Sequence, residues 1–426
     1  MLETYFVKPQ TVDGIRGSLI GGEIEQYVGW LAERGYRPRV VLRRVPLLAA
    51  FGEFARRRGA RTVEDLPAHV DAFVGERVDA HRRPGRSEAA HRRLAKFAKE
   101  IRGPIEQMLE VVLPRFEGRG RRHLADPFVG VTPEFFEYLV AERGLRPATL
   151  GHYRHHLRRF AAYLVGVGVR RLYELSPALL SAFVAERTGS GLAKTSIRDT
   201  CGVLRVFLRY AHREGLIGRD LARAVEWPQV YRLSTIPRSI AWDDVGRVLG
   251  AVDRRTAAGR RDYAILLLLV TYGLRAREVA GLTLDDIDWK RERLAVPERK
   301  AGHSTAFPLS GAVGAALVDY LRRGRPETGD RHIFFRAQAP VRPIGAAAIS
   351  SCAGHYLRAA GIDVPRPGSH TLRHTAVQRL VDADFALKTI GDFVGHRSAA
   401  STEIYAKVAV ETLRAVAQGD GEEVLR

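Results

Sequence analysis

The chain has 426 residues, 46% of them hydrophobic and 27% charged, a balance that is typical of globular proteins and excludes general disorder. A formal net charge of +20 at pH 7 indicates a polyanionic partner. Two cysteines, Cys201 and Cys352, exclude a disulfide-rich secreted protein, and the longest apolar run, from Ala264 to Val270, is far shorter than the ~20 residues that span a bilayer.

The N-terminal part of the chain contains a pattern that occurs twice. Leu31-Ala-Glu-Arg-Gly-Tyr-Arg-Pro38 is matched by Val140-Ala-Glu-Arg-Gly-Leu-Arg-Pro147. Further pairs at the same offset are Phe51 with Phe160, Phe54 with Tyr163, Gly59 with Gly168 and Leu66 with Leu175. Two copies are too few for a solenoid, so we predict two related helical domains, residues 1–115 and 129–228. Pro46 predicts that one helix of the first copy is broken or kinked.

The second copy predicts helices with one apolar and one basic side. Apolar residues recur at helical spacing at Leu157, Phe160, Ala161 and Leu164, and again at Val203, Leu204, Phe207 and Leu208. We predict that the basic side binds the polyanion through six residues: His155, Arg158, Arg159, Lys194, Arg198 and Arg205.

A proline-containing segment at residues 227–237 separates a third domain, residues 241–426. Its pattern is mostly helical. Three short β-prone stretches, separated by charged or glycine-containing turns, predict one small sheet: Leu284–Asp288, Arg293–Pro297 and Thr305–Leu309. The predicted fold class is therefore mainly α, with helical binding domains and a mostly α third domain that carries a small antiparallel sheet.

Two cationic side chains of the third domain stand at predicted turns. Gly273 indicates the end of a buried helix, which leaves Arg275 at a turn with access to solvent. Lys300 lies just beyond the strand that ends at Pro297, where a hairpin turn can carry an ammonium group into a cleft. Either residue alone is typical of an ordinary solvated surface.

Two further patterns contain histidines. His370 and Arg373 are three residues apart on one face of a predicted helix, with Ser369 as its N-cap. His396 precedes a turn and a short predicted helix that presents Tyr405. Taken alone, the pair of His370 and Arg373 is typical of a protein surface. Taken alone, Tyr405 is typical of a tyrosine that packs in a core.

Together, in this chain order, these side chains suit phosphoryl transfer without a metal. Fixed arginine forks and imidazole donors can stabilise the added charge on a five-coordinate phosphorus, and a positioned hydroxyl can attack in line. The sequence contains neither CxxC pairs nor HExxH, so we expect no metal and no other cofactor.

The third domain resembles the catalytic domain of the tyrosine recombinases, the phage integrase family. Three strings carry the resemblance: Tyr272-Gly-Leu-Arg-Ala-Arg-Glu-Val279, His370-Thr-Leu-Arg-His374 and Gly395-His-Arg-Ser followed by Ile404-Tyr405. Residues 148–228 resemble the helical core-binding domain of that family. The resemblance implies a site-specific recombinase or integrase of a mobile genetic element that acts on double-stranded DNA. It also implies a homotetramer on two DNA sites, possible partner recombinases, and a cytoplasmic, nucleoid-associated location away from membranes.

The family's mechanism, carried over to this sequence, assigns the nucleophile to Tyr405. Attack by Tyr405 would form a 3′-phosphotyrosyl link and free a 5′ hydroxyl, and the second strand's 5′ hydroxyl would reverse the step without ATP. Arg275 and Arg373 would clamp the scissile phosphate. His396 would donate a hydrogen bond to a non-bridging oxygen.

The remaining roles concern protons and support. His370 would accept and return a proton near the nucleophile, and Glu278 would orient neighbouring groups. Lys300 would be the general acid for the leaving 5′ oxygen. Ala301 follows it where the family often has glycine, and the adjacent Arg299 is the alternative hairpin cation.

Two other functions fit parts of the pattern. A topoisomerase-like nicking and relaxing enzyme would use the same chemistry, and a non-enzymatic DNA-binding protein would use the fold as a clamp. Two DNA-contacting domains favour defined sites over general relaxation. The complete set of six candidate catalytic residues argues against a protein without activity.

The two ends of the chain each allow more than one role. The apolar tail residues Val408, Val410, Leu413 and Val416 would be lent to a neighbouring protomer or fold back on their own domain. The extra N-terminal domain would bind arm DNA, extend the core contact or hold protomers together, and Pro46 favours the last two.

Overall fold

The structure, a computed structural model, describes residues 1–81, 88–118, 125–229, 239–297, 304–395 and 402. The chain divides into two compact units, Met1–Gly120 together with Thr235–Arg426, and Arg121–Ser234. Three large hydrophobic cores lie before residue 118, between residues 125 and 229, and after residue 239. The fold class is confirmed as mainly α with a small antiparallel sheet.

The N-terminal domain is helical. Its helices are α1 (Pro9–Arg16), α2 (Gly21–Glu33), α3 (Pro38–Arg57), α4 (Val70–His81) and α5 (Glu88–Val112), with 3-10 turns at Leu2–Thr4 and Val63–His69. Helix α5 packs against α2, α3 and α4, so the four long helices enclose one core. Tyr27 and Phe51 are among its fully buried side chains.

The expected break at Pro46 is wrong, because α3 continues through this residue, and the alternative of a kink stays a prediction. Proline has no N–H to donate to the carbonyl oxygen of Leu42, four residues earlier. Leu42 is 44% exposed and Pro46 is exposed as well, so this carbonyl lies on the side of the helix that water reaches. The role of the N-terminal copy stays a prediction.

The second domain is helical as well. Its helices are α6 (Phe135–Ala141), α7 (Pro147–Gly166), α8 (Pro177–Gly189) and α9 (Lys194–Arg213), with 3-10 turns at Leu172–Glu174 and Leu221–Ala224. Helices α3 and α7 both have 20 residues, and both begin at the proline that ends the repeated string. An origin by duplication stays a prediction.

Helices form most of the C-terminal domain. They are α10 (Trp242–Gly250), α11 (Ala257–Tyr272), α12 (Ala276–Gly281), α13 (Gly311–Arg323), α14 (Ala346–Ala359), α15 (Ser369–Asp382) and α16 (Leu387–Val394). The leucine-rich α11 is buried from Ala264 to Val270 and packs against α13 and α15. The Thr256 hydroxyl caps its first turn by accepting from the N–H of Gly259 at 2.9 Å.

The sheet consists of β1 (Ile287–Asp288), β2 (Arg293–Val296) and β3 (Thr305–Pro308), antiparallel in the order β1-β2-β3. Its buried face contains Leu294, Val296 and Phe307. The first predicted strand is only partly right, because Leu284–Asp286 forms a 3-10 turn. The Asp286 carboxylate accepts from the N–H of Thr283 at 2.7 Å and from its hydroxyl at 2.9 Å, which favours the turn over an extended strand.

The two cysteines are free and lie in different helices. Cys201 is buried in α9, where its Sγ donates to the carbonyl oxygen of Glu226 at 3.4 Å. Cys352 is half-buried in α14. Burial raises the pKa of both thiols.

Candidate active site

Arg275 stands at the junction of two helices. As predicted, α11 ends at Gly273, whose φ of 58° is in the left-handed region that favours glycine. Buried Leu274 follows, and Arg275 is the N-cap of α12. The Glu278 carboxylate accepts from the Arg275 N–H at 2.8 Å and from its Nη1 at 2.7 Å. Glu278 is 3% exposed and Arg275 22%, so a buried acid fixes a guanidinium that still reaches solvent.

Arg373 is buried in the second turn of α15, at 5% exposure. Its Nη1 donates to the carbonyl oxygen of Gly273, and its Nη2 donates to that of Val394 at 2.8 Å. These two carbonyls belong to the C-terminal ends of α11 and α16, where helices carry unpaired acceptors and partial negative charge. Two helix ends therefore hold this guanidinium in one place.

The end of α16 connects the two arginines. Arg275 Nη2 donates to the carbonyl oxygen of Gly395 at 2.9 Å, and Arg373 binds the carbonyl of the preceding residue, Val394. Gly395 has a φ of 66°, again in the left-handed region. The structure thus brings the two predicted phosphate-clamping arginines together on the backbone that leads directly into His396.

His370 lies in the first turn of the same helix as Arg373 and is exposed. Its ring centroid is 6.3 Å from that of His374. Ser369 is not the N-cap that was predicted: Gly368 takes that position. A Cβ at residue 368 would lie 2.7 Å from the hydroxyl oxygen of Ser350, so a side chain there would require that hydroxyl to move.

Four predicted site residues lie outside the described part of the chain: Arg299, Lys300, His396 and Tyr405. The described strands β2 and β3 flank the segment with Arg299 and Lys300. Thr402, between His396 and Tyr405, is helical and fully buried.

The predicted DNA-binding residues of the second domain differ in exposure. His155, Arg159, Lys194 and Arg198 are exposed, and Arg158 is half-buried. Arg205 was expected to point outward, but its Nε donates to the carbonyl oxygen of Val225 at 2.9 Å and its guanidinium lies 4.0 Å from the ring centre of Trp227. Its part in binding DNA stays a prediction.

A pocket of about 270 Å³ lies between α7, α8 and α9. His152, His155 and His156 line it together with Arg159 and Arg187. Burial, followed by the positive neighbours, lowers the pKa of His155 and lowers that of His156 to about 4. His156 is buried, and its Nδ1 lies 2.9 Å from the Thr200 hydroxyl.

Sequence reasoning missed two aromatic contacts that join three side chains near the motifs in the chain. Tyr272, Phe307 and Phe393 lie in contact and belong to α11, β3 and α16. Tyr272 is the first residue of the string that contains Arg275, and Phe393 is two residues before Gly395. The signal that could have identified these side chains was therefore their closeness in sequence to the motifs. His156 was also missed; it is next to the predicted His155.

Within the described residues, no helix has the length and apolar character needed to cross a membrane. The same residues contain no group of three or more His, Cys, Asp or Glu side chains that could hold a metal ion.

Two family models match the chain. Residues 238–412 match the phage integrase family, and residues 133–215 match the phage integrase N-terminal SAM-like domain. The putative integrase/recombinase y4rA of Sinorhizobium fredii is 34% identical over 398 residues, which are 92% of this chain and 92% of that protein. The tyrosine recombinase XerC of Mycobacterium leprae is 28% identical over 297 residues, 68% of this chain and 97% of that protein.

A solved structure shows a similar fold. The XerH site-specific recombinase bound to a palindromic difH substrate, a post-cleavage complex, superimposes with a TM-score of 0.54 at 17% identity, covering 65% of this chain and 80% of that one. Matches to both domain models and a relative along nearly the whole chain confirm the resemblance found in the motifs. The chain belongs to the phage integrase family and is a tyrosine-type site-specific DNA recombinase.

Proposed function

We propose that the protein cuts and rejoins double-stranded DNA through a 3′-phosphotyrosyl intermediate on Tyr405, without metal or ATP, for a mobile genetic element. The observation that carries the proposal is the pairing of Arg275 and Arg373 at the end of α16. Two cations fixed by backbone carbonyls cost little reorganisation when a phosphate arrives, which is what stabilisation of a phosphorane transition state requires.

The proposed step conserves atoms and charge. The Tyr405 oxygen attacks the phosphorus, the bond from phosphorus to the 5′ oxygen breaks, and the DNA 3′ phosphate stays on the protein. His370 takes the tyrosine proton, and Lys300 or Arg299 protonates the leaving 5′ oxygen. His396 donates to a non-bridging oxygen. Attack by a 5′ hydroxyl on the phosphotyrosine reverses each transfer.

In this proposal the chain has three domains with different functions, residues 1–115, 129–228 and 241–426. The second domain would bind DNA through His155, Arg158, Arg159, Lys194, Arg198 and Arg205. Four of these six side chains are exposed, which supports contact with phosphates. A homotetramer on two DNA sites would carry out the exchange, alone or with partner recombinases. The name integrase/recombinase of the Sinorhizobium fredii relative supports a role in a mobile element.

A covalent trapping assay tests the proposal. Full-length protein is mixed with nicked suicide duplexes from the ends of the element that encodes it, and the products are separated on a denaturing gel. Wild type should give a protein–DNA band that Tyr405→Phe does not give. Tyr356→Phe is the matched control, because this tyrosine of the same domain donates to Asp262 at 3.2 Å, away from the arginine pair.

A band with Tyr405→Phe would show that another residue is the nucleophile. Tight, salt-sensitive binding without a band on any duplex would favour a DNA-binding protein without activity. Relaxation of plasmids without any preferred sequence would favour a topoisomerase-like enzyme.

A further inference from the structure

Three aromatic side chains lie in contact where the site segments meet. The ring of Phe307 is 5.1 Å from that of Tyr272 and 5.0 Å from that of Phe393, and the Phe307–Phe393 pair is edge-to-face with an interplanar angle of 78°. Tyr272 and Phe307 are buried and Phe393 is half-buried. We call these three residues the aromatic bridge.

Each member of the aromatic bridge belongs to a segment with a proposed catalytic residue. Tyr272 is the last residue of α11 and precedes Arg275 by three positions. Phe393 is in the last turn of α16 and precedes His396 by three positions. Phe307 is in β3, which with β2 flanks the segment that contains Arg299 and Lys300.

Hydrogen bonds fix the position of the sheet relative to α11. The Tyr272 hydroxyl donates to the carbonyl oxygen of Pro308 at 2.9 Å and accepts from the N–H of Ser310 at 2.8 Å. In the ladder, Phe307 pairs with Leu294 and Thr305 pairs with Val296. The two strands that flank the hairpin segment are therefore attached to the helix end that carries Arg275.

We propose that Tyr272, Phe307 and Phe393 are positioning residues that set where the hairpin cation stands relative to the two arginines. This inference rests on the proposed function, in which that cation protonates the leaving 5′ oxygen. The aromatic bridge touches neither DNA nor the reacting atoms in this role. It acts through β2 and β3, the two strands that flank the segment with Arg299 and Lys300 in the chain.

A change of the DNA leaving group distinguishes a loss of positioning by the aromatic bridge from a general loss of stability. A duplex with a 5′-bridging phosphorothiolate leaves as a thiolate, which needs no proton because a thiol is a much stronger acid than an alcohol. Variants that misplace the general acid should cleave the ordinary phosphodiester slowly and the phosphorothiolate well. Lys300→Ala and Arg299→Ala are the reference variants for loss of the acid itself.

Two variants of the bridge are measured on both duplexes under single-turnover conditions. General acids contribute ~10²- to 10⁴-fold, so we expect Phe393→Ala to slow cleavage of the phosphodiester by at least ~10-fold and that of the phosphorothiolate by less than ~3-fold. Tyr272→Phe keeps the ring and removes the two hydroxyl bonds, so it should fold and show a smaller loss with the same selectivity.

Tyr320→Phe is the matched control. Tyr320 is buried in the same core, and its hydroxyl accepts from the N–H of Phe335 at 3.2 Å, so the variant loses a comparable bond away from the bridge. It should cleave both duplexes at the wild-type rate.

Equal losses on the two duplexes, or no loss with either bridge variant, would overturn the positioning role. The role would also be overturned if the phosphorothiolate duplex rescued neither Lys300→Ala nor Arg299→Ala, because there would then be no hairpin acid to position. Failure of the proposed function gives a different result, namely no Tyr405-dependent covalent product from wild type on either duplex.

Discussion

The guanidinium of Arg373 donates a hydrogen bond to the carbonyl oxygen of Gly273, one hundred positions earlier in the chain. This bond connects Arg373 to the turn that leads into Arg275, the other arginine of the pair. Gly273 also lies close to the end of α16, since a Cβ placed on it would be 3.3 Å from Val394 Cγ1. A single glycine therefore sets the spacing between the end of α11, helix α15 and the end of α16.

We predict that Gly273→Ala impairs cleavage more than stability alone explains. The substitution combines left-handed strain of about 1–2 kcal/mol with crowding against Val394 and Ala376. Gly361→Ala is the matched control, because Gly361 has a φ of 71° but nothing within 4 Å of its Cβ position. Chemical denaturation and covalent trapping should show a similar or moderately larger stability loss for Gly273→Ala, and a loss of cleavage of at least ~10-fold that Gly361→Ala lacks. Equal cleavage by both variants would contradict the spacing role.

Glu278→Gln should reduce cleavage while DNA binding is retained. The amide cannot accept from both the N–H and the Nη1 of Arg275, so one bond and the ion pair are lost, at about 1–3 kcal/mol of stability. We expect cleavage to fall by ~10-fold or more and the Kd for a duplex, measured by fluorescence anisotropy, to change by less than ~3-fold.

Asp286→Asn controls for the loss of a capping carboxylate in the Glu278 experiment. Asp286 accepts from the N–H and the hydroxyl of Thr283, at a 3-10 turn that does not touch either arginine of the pair. Both bonds go to one carboxylate oxygen, which the amide oxygen of asparagine can replace, so this variant should lose the charge, keep most of its stability and keep its cleavage rate. Unchanged cleavage by Glu278→Gln would show that Arg275 holds its position without the acid.

The arginine pair and its surroundings were only partly predictable from sequence. The glycine-ended helix, the turn position of Arg275 and the sheet follow from local residue patterns, because helix caps and strand alternation are properties of neighbours in the chain. The contact of Arg373 with Val394, and of Arg275 with Gly395, is made to backbone carbonyls. Any residue has a carbonyl, so no side-chain pattern marks these partners.

The errors of the sequence interpretation have the same origin. Pro46 lies on the exposed side of α3, a fact that helical periodicity alone does not show. The N-cap of α15 is Gly368 and not Ser369, whose N–H donates to the Ser350 hydroxyl of another helix at 3.4 Å. Each of these positions depends on the tertiary structure, which a local sequence pattern does not show.

The histidine pocket predicts that the second domain loses stability in acid. The folded pKa of His156 is about 4, below its ordinary value of 6.5, so between these values the unfolded chain binds a proton that the folded chain does not. Stability should be fully present above about pH 6.5 and fall as the pH drops toward 4. The difference between these two pKa values sets an upper limit of about 3 kcal/mol on the stability that is lost.

The positive charges around His156 lower its pKa further, while the Asp199 carboxylate has the opposite sign. His152, His155 and Arg159 face it from its own helix and Arg187 from α8, while α9 contributes Asp199 and Thr200. The Thr200 hydroxyl donates to the carbonyl oxygen of Ser196 at 3.0 Å, which leaves it to accept from the Nδ1–H of His156.

Hydrogen exchange of the peptide that covers α7 measures the effect in the full chain. Its protection should decrease from pH 7 to pH 5 after correction for intrinsic exchange, and His156→Gln should reduce this decrease. An unchanged pH dependence in the variant would assign the acid sensitivity to other groups.

DNA binding by α9 predicts a defined salt dependence. Lys194 and Arg198 are exposed, and each phosphate contact contributes about 0.9 to the slope of log Kobs against log salt concentration. Lys194→Gln and Arg198→Gln should each lower the slope by about one, as measured by anisotropy with a duplex of fixed length.

Arg213→Gln is the control on the same helix for the salt experiment, because Arg213 is already paired with Glu142 at 2.8 Å and with Glu214 at 2.8 Å. Its slope should equal that of wild type. A lower slope for Arg213→Gln, with no change for Lys194→Gln and Arg198→Gln, would place the DNA contact at the opposite end of α9.

The state of the two cysteines has a practical consequence. Thiolates are the species that react with maleimides, and burial keeps Cys201 and Cys352 protonated at neutral pH. A cysteine introduced at an exposed position, such as Lys194, should therefore be alkylated long before either native thiol. The natural sequence can thus carry a fluorophore at one chosen site, so that assembly on DNA can be followed by energy transfer without first removing a cysteine.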